Sequence, residues 1–146
     1  MCIRDRPRAV AQYARETGHR VAPTGLWLDA RGRWGASPDG VVVDCRDGSE
    51  GLLEVKCSFA RRRKPAHPQF EHCPRRYYAQ VQGQLALADR EWCDLVLWIP
   101  RNSPQKNYCV VRVARDRKFW DDELEPALAR FSEDLERRRS ANAALP

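Results

Sequence analysis

The chain has 146 residues, 42% of them hydrophobic and 32% charged, the balance of an ordinary globular domain rather than of a disordered or fibrous protein. Its formal net charge of +6 and sequence pI near 9.2 favour an anionic partner, nucleic acid first among them. No apolar run approaches the roughly 18 residues needed to span a bilayer, and Met1–Arg6 is too short and polar for a signal peptide. These features predict one domain over residues 1–146, cytoplasmic and without a membrane partner.

Six cysteines, Cys2, Cys45, Cys57, Cys73, Cys93 and Cys109, form no CxxC pair, so zinc-ribbon spacing is absent. Several lie in apolar segments, and reduced, partly buried thiols are the expectation.

Pro7 to Thr17 reads as a helix, with Pro7 in its first turn, Gly18 as its stop, and Ala9, Val10, Tyr13 and Ala14 at helical spacing. Thr24 to Ala30 reads as a strand, followed by a turn at Arg31-Gly32. Val41-Val42-Val43 and Leu52 to Ser58 read as two further strands joined by the loop Arg46 to Gly51. A basic, proline-bearing loop spans Ala60 to Pro74. A second helix is predicted over Arg75 to Asp89, strands over Cys93 to Ile99 and Tyr108 to Val113, and a long charged helix over Phe119 to Arg139, interrupted early by Pro126. The order α, three β, α, β, β, α suggests an α/β domain with a mixed central β-sheet flanked by helices.

Chemistry concentrates around one strand. Gly35-Ala36-Ser37-Pro38-Asp39-Gly40 immediately precedes the valine strand, and Leu52-Leu53-Glu54-Val55-Lys56-Cys57 follows. Side chains alternate along a strand, so Leu53, Val55 and Cys57 share a face suited to the core. Glu54 and Lys56 share the other, about 7 Å apart along the backbone. Asp39, at the start of the preceding strand, can reach the same place. Hard cations such as Mg²⁺ take carboxylate oxygens. Asp39 and Glu54 supply two, and the carbonyl of Val55 could supply a third ligand. Lys56 can orient a water or neutralise charge developing on a phosphate. A bare E-x-K is also what an ordinary surface ion pair looks like, and that reading stays beside the catalytic one.

On the second helix, Tyr78, Val81, Leu85 and Ala88 form an apolar stripe. Gln80 and Gln84 are i,i+4 neighbours on its edge with Tyr77 nearby, while Gln82 points about 200° away from Gln80. Gln80 is the glutamine placed to serve the site; solvated surface glutamines are the plain alternative.

G-A-S-P-D-G, then L-L-E-V-K-C, then Y-Y-A-Q-V-Q, in this order and at this spacing, resembles the lambda exonuclease/YqaJ-like viral recombinase family of the PD-(D/E)XK nucleases, over roughly residues 7 to 135. The resemblance implies a restriction-endonuclease-like fold and Mg²⁺-dependent DNA digestion, often 5′ to 3′ from duplex ends, in phage-type recombination or DNA-end processing. Mn²⁺ is the substitute ion. By matching the family's motif, Asp39 and Glu54 are its metal ligands, Lys56 its catalytic lysine and Gln80 its helix glutamine. A single-strand annealing protein and a homo-oligomer are the further partners implied. One position departs from the pattern. Pro7, Ala9 and Tyr13 fit the family's first helix, but Arg6 stands where an acidic residue is expected. The chain is therefore expected to begin as a truncated form of the domain, with metal affinity weakened if Arg6 is native.

Ser37, Arg61, Arg62, Arg63, Lys64, Arg75, Arg76 and Tyr77 surround this centre and are the candidate DNA contacts; for the charge run, a solvated surface is the alternative. His67 and His72 show no metal spacing and are expected to face solvent. Trp27, Trp34, Trp92, Trp98 and Trp120 are expected mostly in packing roles. The rivals to an exonuclease are an endonuclease of the same fold and a catalytically weakened DNA-binding module. An iron–sulfur nuclease ranks below both, because clustered C-terminal cysteines are missing.

Overall fold

The computed structural model describes residues 5–57, 72–99 and 108–143. Cys2, Ser58, Arg61, Arg62, Arg63, Lys64, His67 and the loop around Pro104 lie outside the described residues.

A five-stranded sheet forms the centre, built from β1 (Arg20–Ala22), β4 (Gly40–Val43), β5 (Glu50–Cys57), β6 (Trp92–Trp98) and β7 (Tyr108–Ala114), in the order β1-β4-β5-β6-β7. All neighbours are antiparallel except β5 and β6, which run parallel with Leu52 opposite Cys93 and Cys57 opposite Trp98. A parallel pair needs a crossover, and α2 (Arg75–Leu87) lies within it. The mixed sheet flanked by helices is the predicted architecture.

Both faces of β5 and β6 are covered, which explains their near-continuous apolar sequences. On one face α1 (Arg6–Thr17) sets Ala9 and Tyr13 against Val42, Leu53, Val55 and Val96. On the other, α2 sets Val81, Leu85 and Ala88 against Leu52, Cys93 and Leu95. Gly18, at φ 73°, ends α1 as its sequence predicts, its N–H donating to the Ala14 carbonyl.

The segment before β4 departs from expectation. The strand predicted over Thr24–Ala30 is only β2 (Trp27–Leu28), paired antiparallel with β3 (Gly35–Ala36) in a separate two-stranded ribbon. Asp29 closes that ribbon: its carboxylate accepts the backbone N–H groups of Arg31, Arg33 and Trp34, a local alternative to a ladder. The strand that joins the main sheet here is β1, three mostly exposed residues whose basic start carries little strand signal.

After β7, a turn of helix α3 (Arg117–Phe119) runs into a π-helical turn, Trp120–Leu124, and then into α4 (Glu125–Ala143). Pro126 lies just after that π-helical turn, so the long helix is irregular early in its course, where the proline's missing N–H removes a helical bond, as its sequence predicts. No helix among the described residues is long and apolar enough to cross a membrane. The five described cysteines are unbridged: Cys93 is buried, Cys57, Cys73 and Cys109 are partly buried, and Cys45 is exposed, an exception to the expected burial.

Candidate active site

The sheet register brings the motif residues together. Asp39 precedes β4 by one residue, and its N–H donates to the Leu53 carbonyl at 2.8 Å. That bond pins the Asp39 backbone to β5. Its Oδ2 accepts the Val55 N–H at 2.8 Å, so the carboxylate lies beside the E-x-K strand. Gly40 is required next: a Cβ there would come within 2.7 Å of Val21 Cγ1 and 3.1 Å of the Ala22 carbonyl in β1. The Asp-Gly pair is therefore one packing unit, with the aspartate reaching β5 and the glycine admitting β1.

Glu54 points from β5 towards α2 and is buried. Its Oε1 accepts Lys56 Nζ at 2.7 Å and Gln80 Nε2 at 3.0 Å. Lys56 Nζ also donates to Gln80 Oε1 at 2.7 Å, closing a three-membered ring of contacts among the family-motif residues. The Glu54–Lys56 pair is thus no free surface ion pair, since the ammonium side chain is 18% exposed and the carboxylate side chain 6%. Gln84 was not singled out for the site by sequence. It donates Nε2 to Glu54 Oε2 at 2.7 Å and is buried. Its i,i+4 relation to Gln80 is the signal that could have found it. Gln82, on the far side of α2 as expected, is buried rather than solvated. It spans the Ala114 carbonyl and the Asp116 N–H.

Burial, and then the neighbouring Glu54 carboxylate, push the Asp39 carboxyl above its ordinary value. The repulsion that Glu54 exerts on Asp39 is of the kind a cation would relieve. Cationic groups already lie on both, Lys56 on Glu54 and the Arg6 guanidinium 2.8 Å from Asp39 Oδ1. The donor set is all oxygen and anionic, which suits a hard divalent ion. Val55 is buried, and the group it directs to Asp39 is its N–H.

The remaining candidates surround this centre. Tyr77 is half-buried, with Lys56 Nζ 5.0 Å and Arg76 Cζ 4.7 Å from its ring centre. Arg75 and Arg76 are exposed in the first turn of α2. Ser37 is exposed at the lip of a cleft of about 430 Å³ that Gln80 and Gln84 also line. Arg61 to Lys64 lie outside the described residues. His72 is exposed, as expected.

A second polar cluster lies across the sheet. Buried Asp94 accepts Tyr13 Oη at 2.5 Å and Arg112 Nε at 2.8 Å, while Arg112 Nη1 donates to Asp44 at 2.8 Å. His19, Asp44 and Cys45 offer ligand atoms within 4.8 Å of one another. Yet Asp44 also accepts Arg46 Nε at 2.9 Å, and His19 Nδ1 accepts the Cys45 N–H at 3.2 Å. Two guanidinium groups already neutralise Asp44, so the cluster is an ion-pair knot rather than a cation site. It draws on α1, β6, β7 and the loop after β4, and no short sequence motif announces it.

Comparison with known proteins identifies the family and the fold. Residues 6–91 match the YqaJ-like viral recombinase domain. The chain belongs to that family. It is also similar to the crystal structure of an alkaline exonuclease, LHK-Exo, from Laribacter hongkongensis, with 30% identity, TM-score 0.72, and coverage of 97% of this chain and 73% of that one. The same exonuclease in complex with dAMP superposes with TM-score 0.75 at 30% identity, over 97% of this chain and 72% of that one. A phage-related exonuclease from Haemophilus somnus 129PT shares the fold at 16% identity and TM-score 0.68, over 93% and 70% of the two chains. No curated protein sequence matches the chain.

Proposed function

We propose that this YqaJ-family chain is a Mg²⁺-dependent DNA exonuclease that hydrolyses phosphodiester bonds at duplex ends, in phage-type recombination or DNA-end processing. The carrying observation is the closed contact set Glu54–Lys56–Gln80 with Asp39 pinned beside it on β5. Membership of the family and likeness to LHK-Exo, itself described as an alkaline exonuclease, support the reading.

Asp39 and Glu54 would hold the divalent ion, with Mn²⁺ as a substitute and the Val55 carbonyl as an additional oxygen. When bound, the ion supplies positive charge that polarises the phosphate and helps activate water. The protein's own groups do the positioning. Gln84 fixes one oxygen of Glu54, and Gln80 and Lys56 fix the other. Lys56, held at both Glu54 and Gln80, presents its ammonium where charge develops on the cleaved phosphate. Arg75, Arg76, Tyr77 and Ser37 would hold the strand, joined by Arg61, Arg62, Arg63 and Lys64 from the segment after β5. A homo-oligomer and a single-strand annealing protein complete the proposal on family grounds.

One observation favours a weakened variant of this function: the Arg6 guanidinium already occupies Asp39 Oδ1. Linear and covalently closed duplexes, incubated with Mg²⁺ and with chelator, test both readings. Mg²⁺-dependent loss of linear DNA alone is expected. Nicking or cutting of closed circles would make the chain an endonuclease. Binding without cleavage at any divalent-ion concentration would leave the DNA-binding module.

A further inference from the structure

Strand β7 closes one side of the sheet, with β6 as its sole strand neighbour among the described residues. The Arg115 N–H donates to the Glu91 carbonyl at 2.9 Å, and the register runs on from that pair through Cys93 opposite Val113 and Leu95 opposite Val111. Directly opposite residues of an antiparallel ladder exchange bonds at every second position. Val111 and Val113 therefore bond to β6, while Val110, Arg112 and Ala114 turn their N–H and C=O groups outward. Gln82 bears out this phase. Its Nε2 donates to the Ala114 carbonyl at 2.9 Å and its Oε1 accepts the Asp116 N–H at 2.8 Å, as a residue of a parallel neighbouring strand would. The side-chain amide of α2 thus covers the end of the edge. At Val110 and Arg112 no described residue does so.

Natural sheet edges are guarded by short length, proline, bulges or a projecting charge. The opposite edge, β1, is three residues long and begins with Arg20. β7 is seven residues long, holds no proline, and its single charge is withdrawn. The Arg112 guanidinium lies 3.7 Å from the centre of the Trp92 ring and bonds to Asp94 and Asp44, back across the sheet. A groove opens on each face beside this edge, and Arg112 lines both. The first, of about 460 Å³, has Val110 and Arg46 in its lining. The second, of about 320 Å³, has Tyr78, Val111 and Val113. Successive side chains of an added strand point to opposite faces, so one set would enter each groove. The valines of β7 beside Tyr78 suit apolar side chains in the second. In the first, the acids Asp44 and Asp94 are buried, whereas the Arg46 side chain is 70% exposed and uses only Nε and Nη2 on Asp44. The accessible charge there is positive.

We propose that the β7 edge is a docking site for an extended segment of a partner protein, which adds to the sheet as a sixth strand and alternates acidic side chains towards Arg46 with apolar ones towards Val111 and Val113. Main-chain bonds to Val110 and Arg112 supply the affinity, and the two grooves supply the side-chain pattern. β6 separates this edge from the E-x-K strand, and docking here does not depend on the nuclease chemistry.

The probe is a fluorescein-labelled heptapeptide of alternating glutamate and valine, titrated with the full chain and read by anisotropy. Saturable binding is expected, and a peptide with lysine in place of glutamate should bind about tenfold more weakly or worse. Of two N-methylated forms, one at the glutamates and one at the valines, one should lose about tenfold or more, because an antiparallel strand pairs with the edge through the first set and a parallel strand through the second. Val110→Pro removes an outward N–H without touching the β6 ladder and should weaken binding, while Arg46→Gln should narrow the gap between the glutamate and lysine peptides. Folding of each variant is checked by its thermal transition; if Val110→Pro does not fold, the N-methylated peptides decide. Absence of binding, or equal binding of all the peptides, would overturn the site. Amide exchange followed by NMR in the free chain should find Val110 and Arg112 unprotected beside protected Val111 and Val113. Protection of all four without peptide would also overturn it, giving the edge to the chain itself if the protein sediments as a monomer and to a second copy if it sediments as a dimer.

Discussion

Arg6 Nη1 lies 2.8 Å from Asp39 Oδ1, so a side chain of the first helix closes on the carboxylate that the sheet register delivers to the E-x-K strand. The family pattern has an acidic residue at this helix position, so the exchange reverses the local charge. Two unit charges about 4 Å apart interact by about 1 kcal/mol in water and about 4 kcal/mol at an effective dielectric of 20. The Arg6 side chain is 38% exposed, which places the effect towards the lower figure. Arg6→Glu should lower the Mg²⁺ midpoint for cleavage by about tenfold and raise the rate at low Mg²⁺. An unchanged midpoint and unchanged maximal rate would show that position 6 does not belong to the site.

Lys56 separates binding from chemistry. Its ammonium is held by Glu54 and Gln80 within the contact set and only flanks the exposed basic turn of α2. Lys56→Ala should leave DNA affinity nearly intact while single-turnover cleavage falls by about 100-fold or more. Cleavage at the wild-type rate would reduce Lys56 to a structural counter-ion for Glu54.

The sequence made β5 and α2 legible because their signals are local. Alternation separates Leu53 and Val55 from Glu54 and Lys56, and helical spacing aligns Val81 with Leu85. Asp39 was legible because Gly35 to Gly40 immediately precedes the valine strand, whereas the reason for Gly40, the close approach of β1, shows only in the structure. What escaped was non-local. The three residues of β1 acquire strand structure from Val41, Val42 and Val43 opposite them, not from their own propensity. Trp27 and Leu28 were read within a longer strand because the side-chain bonds of Asp29, which close the ribbon, leave no periodic trace. The Asp94–Arg112–Asp44 knot joins residues separated by 18 and 68 positions, and nothing in the spacing links them.

That knot sets a stability prediction. Tyr13 is fully buried, and its hydroxyl donates to Asp94 Oδ2 at 2.5 Å. Tyr13→Phe keeps the ring packed against Val42 and Leu53 but removes the donor to a charged acceptor. The expected cost is about 1.5–3 kcal/mol, read from urea unfolding at pH 7. Arg112 remains on Asp94, so the variant should fold and keep its Mg²⁺ midpoint. A loss under about 0.5 kcal/mol, the scale of neutral surface changes, would mean that Arg112 alone satisfies Asp94.

Acid stability should follow Asp44. The hydrogen bonds from Arg46 first, then those from Arg112, hold its carboxyl well below the ordinary 3.8. A carboxyl whose folded value is depressed stabilises the fold above its unfolded value, and that contribution is lost as pH falls through the folded value. Unfolding free energy should therefore decline as pH drops below about 4, where the unfolded chain takes up a proton that folded Asp44 refuses. Asp44→Asn keeps the shape but cannot ionise, so it should be less stable than wild type at pH 7. The gap should narrow on acidification. Urea midpoints at pH 7, 5, 4 and 3 read the effect, and a gap that stays constant over that series would show that Asp44 contributes through hydrogen bonds alone, with no proton linkage.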